Sequence, residues 1–459
     1  GFMSKFNSDK MGTMPVGKLL FSMSVPAIFS MLVQSLYNVV DSIFVAQVRE
    51  DELVAVSIAF PLQMLIIALA LGVGVGTNAL IARRLGEKRR EEANIAANTG
   101  IVLSLINMAL CMLVGLFLAK PFVGLFTQDA AVFTMGSQYL MIVMVFSVGV
   151  MIEMTCSRVL QATGNMIVPM ISQLIGAITN IILDPIFIFG YFGVPKMGVA
   201  GAAVATVIGQ ILAMIFVLIV LKVGTHEVDI APWRHHPQMQ AAKDIYRVGI
   251  PTFVMNAIGS LTTTAMNAIL MGFSATAVAV LGIYFKLQSF VFMPIFGLNQ
   301  GAMPILGYNY GAADEKRFTR TLALSFGVGL AIMVIGTVLF WTMPEMLLKL
   351  FNGSDQMLQL GSYALRVLAL CFLPAACSII MTTMFQALGK GMMSLVMSLL
   401  RQLVFIIPLA WILGQLGGLG AVWFCYPAAE LLVAVIFVPI ALKTIKKSFD
   451  QERQETGVY

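Results

Sequence analysis

The stretch THEVDIAPWRHHPQMQAAKD occupies residues 225–244 and is the longest polar connection in the chain. Apolar segments of membrane length lie on both sides of it. Before it they fall near 17–48, 53–82, 94–119, 131–155, 166–190 and 199–223. After it they fall near 246–271, 276–305, 318–343, 357–385, 392–414 and 418–442. A helix needs about 20 apolar residues to cross a bilayer. The polar stretch therefore separates two sets of six spans, and the longer spans are expected to tilt or to extend past the bilayer. The expected organisation is a short segment 1–16, a first lobe 17–224, a connection 225–244, a second lobe 245–443 and a tail 444–459. The connection itself, with His226, His235 and His236, reads as a solvated loop, because a lone His pair lacks a complete metal-ligand set.

Composition agrees. Of 459 residues, 59% are hydrophobic and 11% charged, and the mean hydropathy is +0.92. Soluble domains run at about 45–50% apolar and about 25% charged, so an all-α polytopic membrane protein is expected. The net charge of +6 does not point to nucleic acid, because the basic residues are scattered between apolar runs. Cys111, Cys156, Cys371, Cys377 and Cys425 all stand in apolar segments without a paired spacing, so neither disulfides nor a metal site is expected. No cleavable signal peptide is expected either, since the first apolar segment is long and lacks a small-residue cleavage site.

The basic residues also fix an expected orientation. The termini and even-numbered loops hold 22 Lys and Arg residues from Lys5 to Arg453, with Arg401 counted among them. The odd-numbered loops hold only Arg49, Lys120, Lys196 and Lys349. Cytoplasmic loops carry the excess of Lys and Arg, which places both termini in the cytoplasm.

The two halves repeat at an offset of 225 residues. Pro26 matches Pro251, Phe60 and Gln63 match Phe285 and Gln288, Gly72 and Gly76 match Gly297 and Gly301, and QATG at 161–164 matches QALG at 386–389. The register slips beyond Gly190. Because each half holds an even number of spans, the repeat is parallel, with a pseudo-two-fold axis along the membrane normal. The run GVGVG at 72–76 superficially resembles a nucleotide cradle, but it lies in an apolar span rather than after a strand. Close helix packing is its expected role.

Ionisable residues at membrane depth are costly and mark function by default. The acidic ones are Asp41, Glu153, Asp184 and Glu430, and the basic ones are Lys286 and Arg366. Gln34, Asn38 and Asp41 share one face of the first span, spaced i, i+4, i+7. Gln173, Asn180 and Asp184 make a second stripe in the fifth span, and Thr206 comes after it in the sixth. If the stripes face each other, carboxylates, amides and a hydroxyl line a pocket in the first lobe. Such oxygens suit Na⁺, and carboxylates in low dielectric can also take up a proton. Pro26 and Pro185 would free backbone carbonyls and give their helices a place to bend. Glu153 and Met151 are weighed as cavity-facing residues of the fourth span, with Glu153 equally able to pair with a neighbour.

The motifs SLYNVVDSIFV (35–45), GVGTNALIARRLGEK (74–88), QATGN (161–165), NIILDPIFIFG (180–190), GVAGAAVAT (198–206) and NYGAADEKR (309–317) resemble those of the multidrug and toxic compound extrusion (MATE) family, in its MepA-type branch. The resemblance spans almost the whole chain. It implies a V-shaped exporter of two six-helix lobes in the bacterial inner membrane. It further implies alternating access driven by H⁺ or Na⁺, drugs or toxins as substrates, no other cofactor and a monomer. Carried over residue by residue, the ion site is Asp41, Asn180, Asp184 and Thr206. Gln34, Tyr37, Asn38, Met151, Glu153 and Gln173 are the substrate-contacting candidates. The chain departs from relatives that couple through acids of the seventh, eighth and tenth spans, since it has none there. A lipid-linked oligosaccharide flippase is the first alternative, but Lys286 and Arg366 are too few to hold a pyrophosphate. An exporter of one metabolite is another. A membrane enzyme is disfavoured by the lack of an acid/base set or an HExxH motif, and a channel by the two-lobe repeat.

Overall fold

The computed structural model describes residues 8–45, 47–224, 226–351 and 353–457. Among them every regular element is helical. The membrane-length helices of the first half are α1 (Val16–Val45), α2 (Glu50–Gly86), α3 (Arg90–Gly124), the pair α4 (Ala130–Val145) and α5 (Val148–Ala162), α6 (Ile167–Phe189) and α7 (Val199–Lys222). Those of the second half are α8 (Met239–Met271), α9 (Ala275–Gly311) and α10 (Glu315–Thr342). They continue with α11 (Asp355–Leu368) leading into α12 (Phe372–Ala387), then α13 (Gly391–Leu399) leading into α14 (Ile406–Gly417), and α15 (Cys425–Thr456).

Eleven of these segments are long and apolar enough to cross a membrane, and α4 with α5 makes a twelfth that bends by 41°. Gly149 stands at the start of α5, directly after that bend. A Cβ there would stand 2.8 Å from the backbone of Gln210 and Ile211 in α7, so only glycine lets α5 approach so closely. Pro26, Pro185 and Pro251 lie inside helices that run unbroken through them.

The chain divides into two compact units, and their bounds do not coincide with the halves 17–224 and 245–443. One unit is Gly1–Thr13 with Phe29–Phe253, and the other is Met14–Ile28 with Val254–Tyr459. The start of α1 therefore belongs with the second half, and the start of α8 with the first. The exchange points Ile28 and Phe253 stand 225 positions apart, at the offset of the sequence repeat.

The glycines explain the exchange. In the first unit a Cβ on Gly72 of α2 would lie 2.6 Å from Gly249 O of α8, and Gly76 is pressed equally against Ile245 O. In the second unit Gly297 and Gly301 of α9 receive Ile28 and Ser24 of α1, at 2.6–2.7 Å. Each glycine pair thus makes a groove for the start of the exchanged helix, the close packing expected of GVGVG.

The polar connection is fastened rather than freely solvated. Asp229 N–H donates to Asn94 Oδ1 (2.9 Å), and Asn98 Nδ2 donates to Asp229 O (2.8 Å). Gln238 N–H donates to Thr99 Oγ1 at 3.2 Å. His235 meets Glu91 Oε1 with Nδ1 (2.8 Å) and Asp229 Oδ2 with Nε2 (3.2 Å). A polar composition predicts exposure to water, but Asn94, Asn98 and Thr99 on one face of α3 offer this loop specific partners. All five cysteines are free thiols.

Candidate functional site

The site grows from one face of α6. Ala177, Asn180, Asp184 and Ile188 recur at helical spacing and are all buried. Asp184 has no exposed surface, and Asn180 keeps 6%. Pro185 comes directly after it and withholds the N–H that Ile181 O would otherwise receive. The helix thus brings a carboxylate, an amide and a weakened backbone turn to one point.

None of Asp184 Oδ1, Asp184 Oδ2 and Asn180 Oδ1 meets a hydrogen-bond donor. The polar group within bonding reach of Asp184 is another carboxyl, that of Asp41 on α1. Two ionised carboxylates about 4 Å apart repel by about 4 kcal/mol at an effective dielectric of 20. A positive charge between the oxygens of such a pair, whether a shared proton or a small cation, would relieve that repulsion.

Two tyrosines border the pair. Tyr37, one turn before Asp41, lies near Thr206 on α7 and within the field of both carboxylates. Tyr139 of α4 lies within the field of both carboxylates and donates to Gln63 Oε1 of α2 at 2.9 Å. Thr206 Oγ1 also donates to Ala202 O at 3.0 Å. Gly209 on α7 makes room for the amide, since a Cβ there would stand 3.1 Å from Asn180 Nδ2 and 2.9 Å from Gly176 O. Every one of these residues belongs to the first unit.

The structure thus brings Asp41, Tyr37, Asn180, Asp184 and Thr206 together. Gln34 and Asn38 stand on the exposed face of α1, and Gln173 is half-buried on α6. Two candidates lie elsewhere. Met151 is fully buried in the apolar core of the first unit, a packing residue rather than a cavity wall. Glu153 accepts from Ser157 Oγ (2.7 Å) and Ser172 Oγ (2.8 Å), so its carboxylate is held by neighbours. Ser172 precedes Asp184 by twelve residues of helix, about 18 Å.

Lys286 is exposed with Nζ 5.7 Å over the Phe351 ring, and Arg366 Nε donates to Trp341 O at 3.1 Å. Arg401, which the sequence groups with the basic loops, lies between α13 and α14 inside a membrane-length segment. Tyr139, Gln63 and Gly209 escape the sequence reading. Gln63 stands out as an amide in an apolar span, whereas Tyr139 carries no mark beyond its hydroxyl.

Comparison with known proteins runs along the same lines. A family model described as MatE matches residues 26–186 and 251–412, once in each half. The multidrug export protein MepA of Staphylococcus aureus is 26% identical over 433 residues, covering 92% of this chain and 94% of its own. An FAD transporter of Shewanella oneidensis is also 26% identical, covering 92% and 93%. Among solved structures, MATE in the straight conformation superposes with a TM-score of 0.90 at 25% identity, covering 96% of this chain and 98% of the other. A MOP superfamily transporter from Pyrococcus furiosus gives 0.89 at the same identity and coverage.

Proposed function

The chain belongs to the MatE family, and from that premise we propose that it is a secondary active exporter of cationic or amphipathic small molecules, driven by inward movement of protons. It is a transporter and not an enzyme. The observation that carries the reading is Asp184, fully buried beside Asp41 with neither oxygen supplied with a donor. A carboxyl serving only the fold would be paired, as Glu153 is with its two serines.

With the site open to the cytoplasm, the ionised Asp41 and Asp184 attract a cationic drug. With it open to the outside, a proton neutralises the pair, the electrostatic hold weakens, and the drug departs. The ion drives transport only in so far as it binds the two states unequally. Asn180 and Thr206 add an amide and a hydroxyl beside the carboxyls, and Tyr37 stands one turn from Asp41 on the same helix. Pro26 and Pro185 sit where α1 and α6 can flex without breaking a full ladder of hydrogen bonds. Gln34, Asn38 and Gln173 extend the polar lining towards the drug.

The Lys and Arg bias supports an orientation with both termini in the cytoplasm, and the reading is of a monomer in the bacterial inner membrane. Two further readings have specific support. The orphaned Asn180 Oδ1 adds a neutral oxygen to two carboxylates, a donor set that fits Na⁺. The FAD transporter among the relatives favours export of one defined metabolite. Ethidium efflux from proteoliposomes under an imposed pH gradient, then a Na⁺ gradient, tests all of this. Efflux driven by one gradient and lost in Asp184→Asn is expected, and equal efflux in that variant would overturn the reading.

A further inference from the structure

The second unit also contains a buried carboxylate with an oxygen that lacks a donor. Tyr426 and Glu430 recur at i, i+4 on one buried face at the start of α15, just after the buried Trp423 in the preceding turn. Glu430 keeps 8% of its surface. Its Oε1 lies 3.3 Å from Arg401 Nε, yet that N–H is not aimed at it, and Oε2 meets no donor. Ser378 Oγ, Tyr426 O–H and Trp423 Nε1–H are likewise buried without a well-formed bond.

Arg401 sits in an unusual piece of backbone. Residues Leu400–Val404 form a π-helical turn in which Phe405 N–H reaches back five residues to Leu400 O at 3.0 Å. Pro408, early in α14, supplies no N–H to Val404 O. Gln402 O is taken instead by Thr262 Oγ1 of α8 at 2.7 Å. Such turns hold one extra residue in the helix, and losing it rotates the remainder of the helix by about 100°.

The repeat shows what this replaces. At the offset of 225, Arg401 stands where Gly176 stands in the first half. There Gly176 and Gly209 let α6 and α7 meet backbone to backbone, with Gly176 O 2.9 Å from a Cβ position on Gly209. The second unit sets an ion pair at the corresponding place. An ion pair in an apolar core contributes little to stability unless its geometry is good, and this geometry is poor. Stability alone does not account for it.

We propose that Glu430 is a second proton-binding site, paired with Arg401 when ionised and released from it when protonated. The proton adds to the carboxylate, most directly at the open Oε2, and the charge of the pair changes from zero to +1. Arg401 then becomes a partly buried cation without its counter-ion, which is costly. The π turn gives its backbone a way to carry the guanidinium aside. The groups facing Glu430 are Arg401 from the π turn, Ser378 and Cys377 from α12, Cys371 from the turn before it, Tyr284 from α9 and Tyr426 from its own helix. Of these only Arg401 is a cation at neutral pH, and it opposes protonation most, with the Ser378 hydroxyl beside it.

The inference deepens the proton-driven reading, but its test does not use transport. Infrared difference spectra of the purified protein in nanodiscs, recorded between alkaline and acidic pH, report protonated carboxyl groups by their C=O stretch. One component is expected to vanish in Glu430→Gln and to remain in Asp184→Asn, with both variants eluting as folded protein. In Arg401→Met, which removes the counter-ion, the component should persist to higher pH than in the wild type. A spectrum unchanged by Glu430→Gln overturns the proposal, as does an Arg401→Met spectrum with wild-type pH dependence. If Glu430→Gln does not fold, the Arg401→Met comparison decides alone. Absence of ethidium efflux would sink the exporter reading and leave this result standing.

Discussion

Replacing Asp184 by Asn should make the protein more stable while abolishing coupled efflux. The structure supplies the size of the effect. Both oxygens of Asp184 lack a donor, and the nearest polar group is the Asp41 carboxyl. The substitution changes little in volume and turns one oxygen into an N–H₂ group that can donate to Asp41. A hydrogen bond to a charged group contributes about 1.5–3 kcal/mol. Relief of the carboxylate repulsion, up to about 4 kcal/mol when both groups are ionised, adds to it at alkaline pH. The gain should therefore be smallest in acid, where a shared proton already bridges the wild-type pair, and should grow as pH rises. Thermal unfolding of wild type and Asp184→Asn in detergent, measured across a pH series beside proteoliposome efflux, reads both quantities. A variant that unfolds below the wild type at every pH would refute the reasoning, because it would show that Asp184 is satisfied in the fold rather than held ready for an ion.

Other contacts lead to further expected outcomes. Glu153→Ala should lower stability by about 1–3 kcal/mol, since Ser157 and Ser172 lose their acceptor, while gradient-driven efflux persists; an equilibrium unfolding series with efflux checks both. Gly209→Val should crowd Asn180 Nδ2 and Gly176 O and weaken the coupling ion's apparent affinity about 10-fold, about 1.4 kcal/mol, read from efflux against the driving ion's concentration. Gly72→Val drives a side chain into Gly249 O and should cost about 1–3 kcal/mol, seen as a lowered unfolding midpoint. His235 offers a ring nitrogen to each of two carboxylates, Glu91 and Asp229, with Arg234 Nη2 3.2 Å from the same Asp229 oxygen. Only the imidazolium donates from both nitrogens. Hydrogen-exchange protection of residues 229–238 should therefore fall in His235→Gln, whose side chain cannot span both carboxylates.

Composition and residue pattern alone determine the class, the number of spans and the duplication. Those properties rest on local chemistry, on the length a bilayer demands, and on matched residues such as Gly72 and Gly297 at one offset. The aspartate site was legible for a related reason. Asp41 and Asp184 are conspicuous against apolar runs, and their neighbours Tyr37 and Asn180 lie one turn away on the same helices. Tyr139 and Gly209 were not legible, because they reach the site from α4 and α7, and neither a hydroxyl nor a missing Cβ declares its neighbour. The same limit hid the contacts of Met151, which only packing shows to be core, and of Glu153, whose serines lie on two helices. It hid the fastening of residues 226–244 to α3, where polarity suggested solvent. The exchanged starts of α1 and α8 also belong to tertiary structure alone. Helical period tells which residues share a face, but which helix that face meets depends on backbones close enough to touch, and that distance is written only in three dimensions.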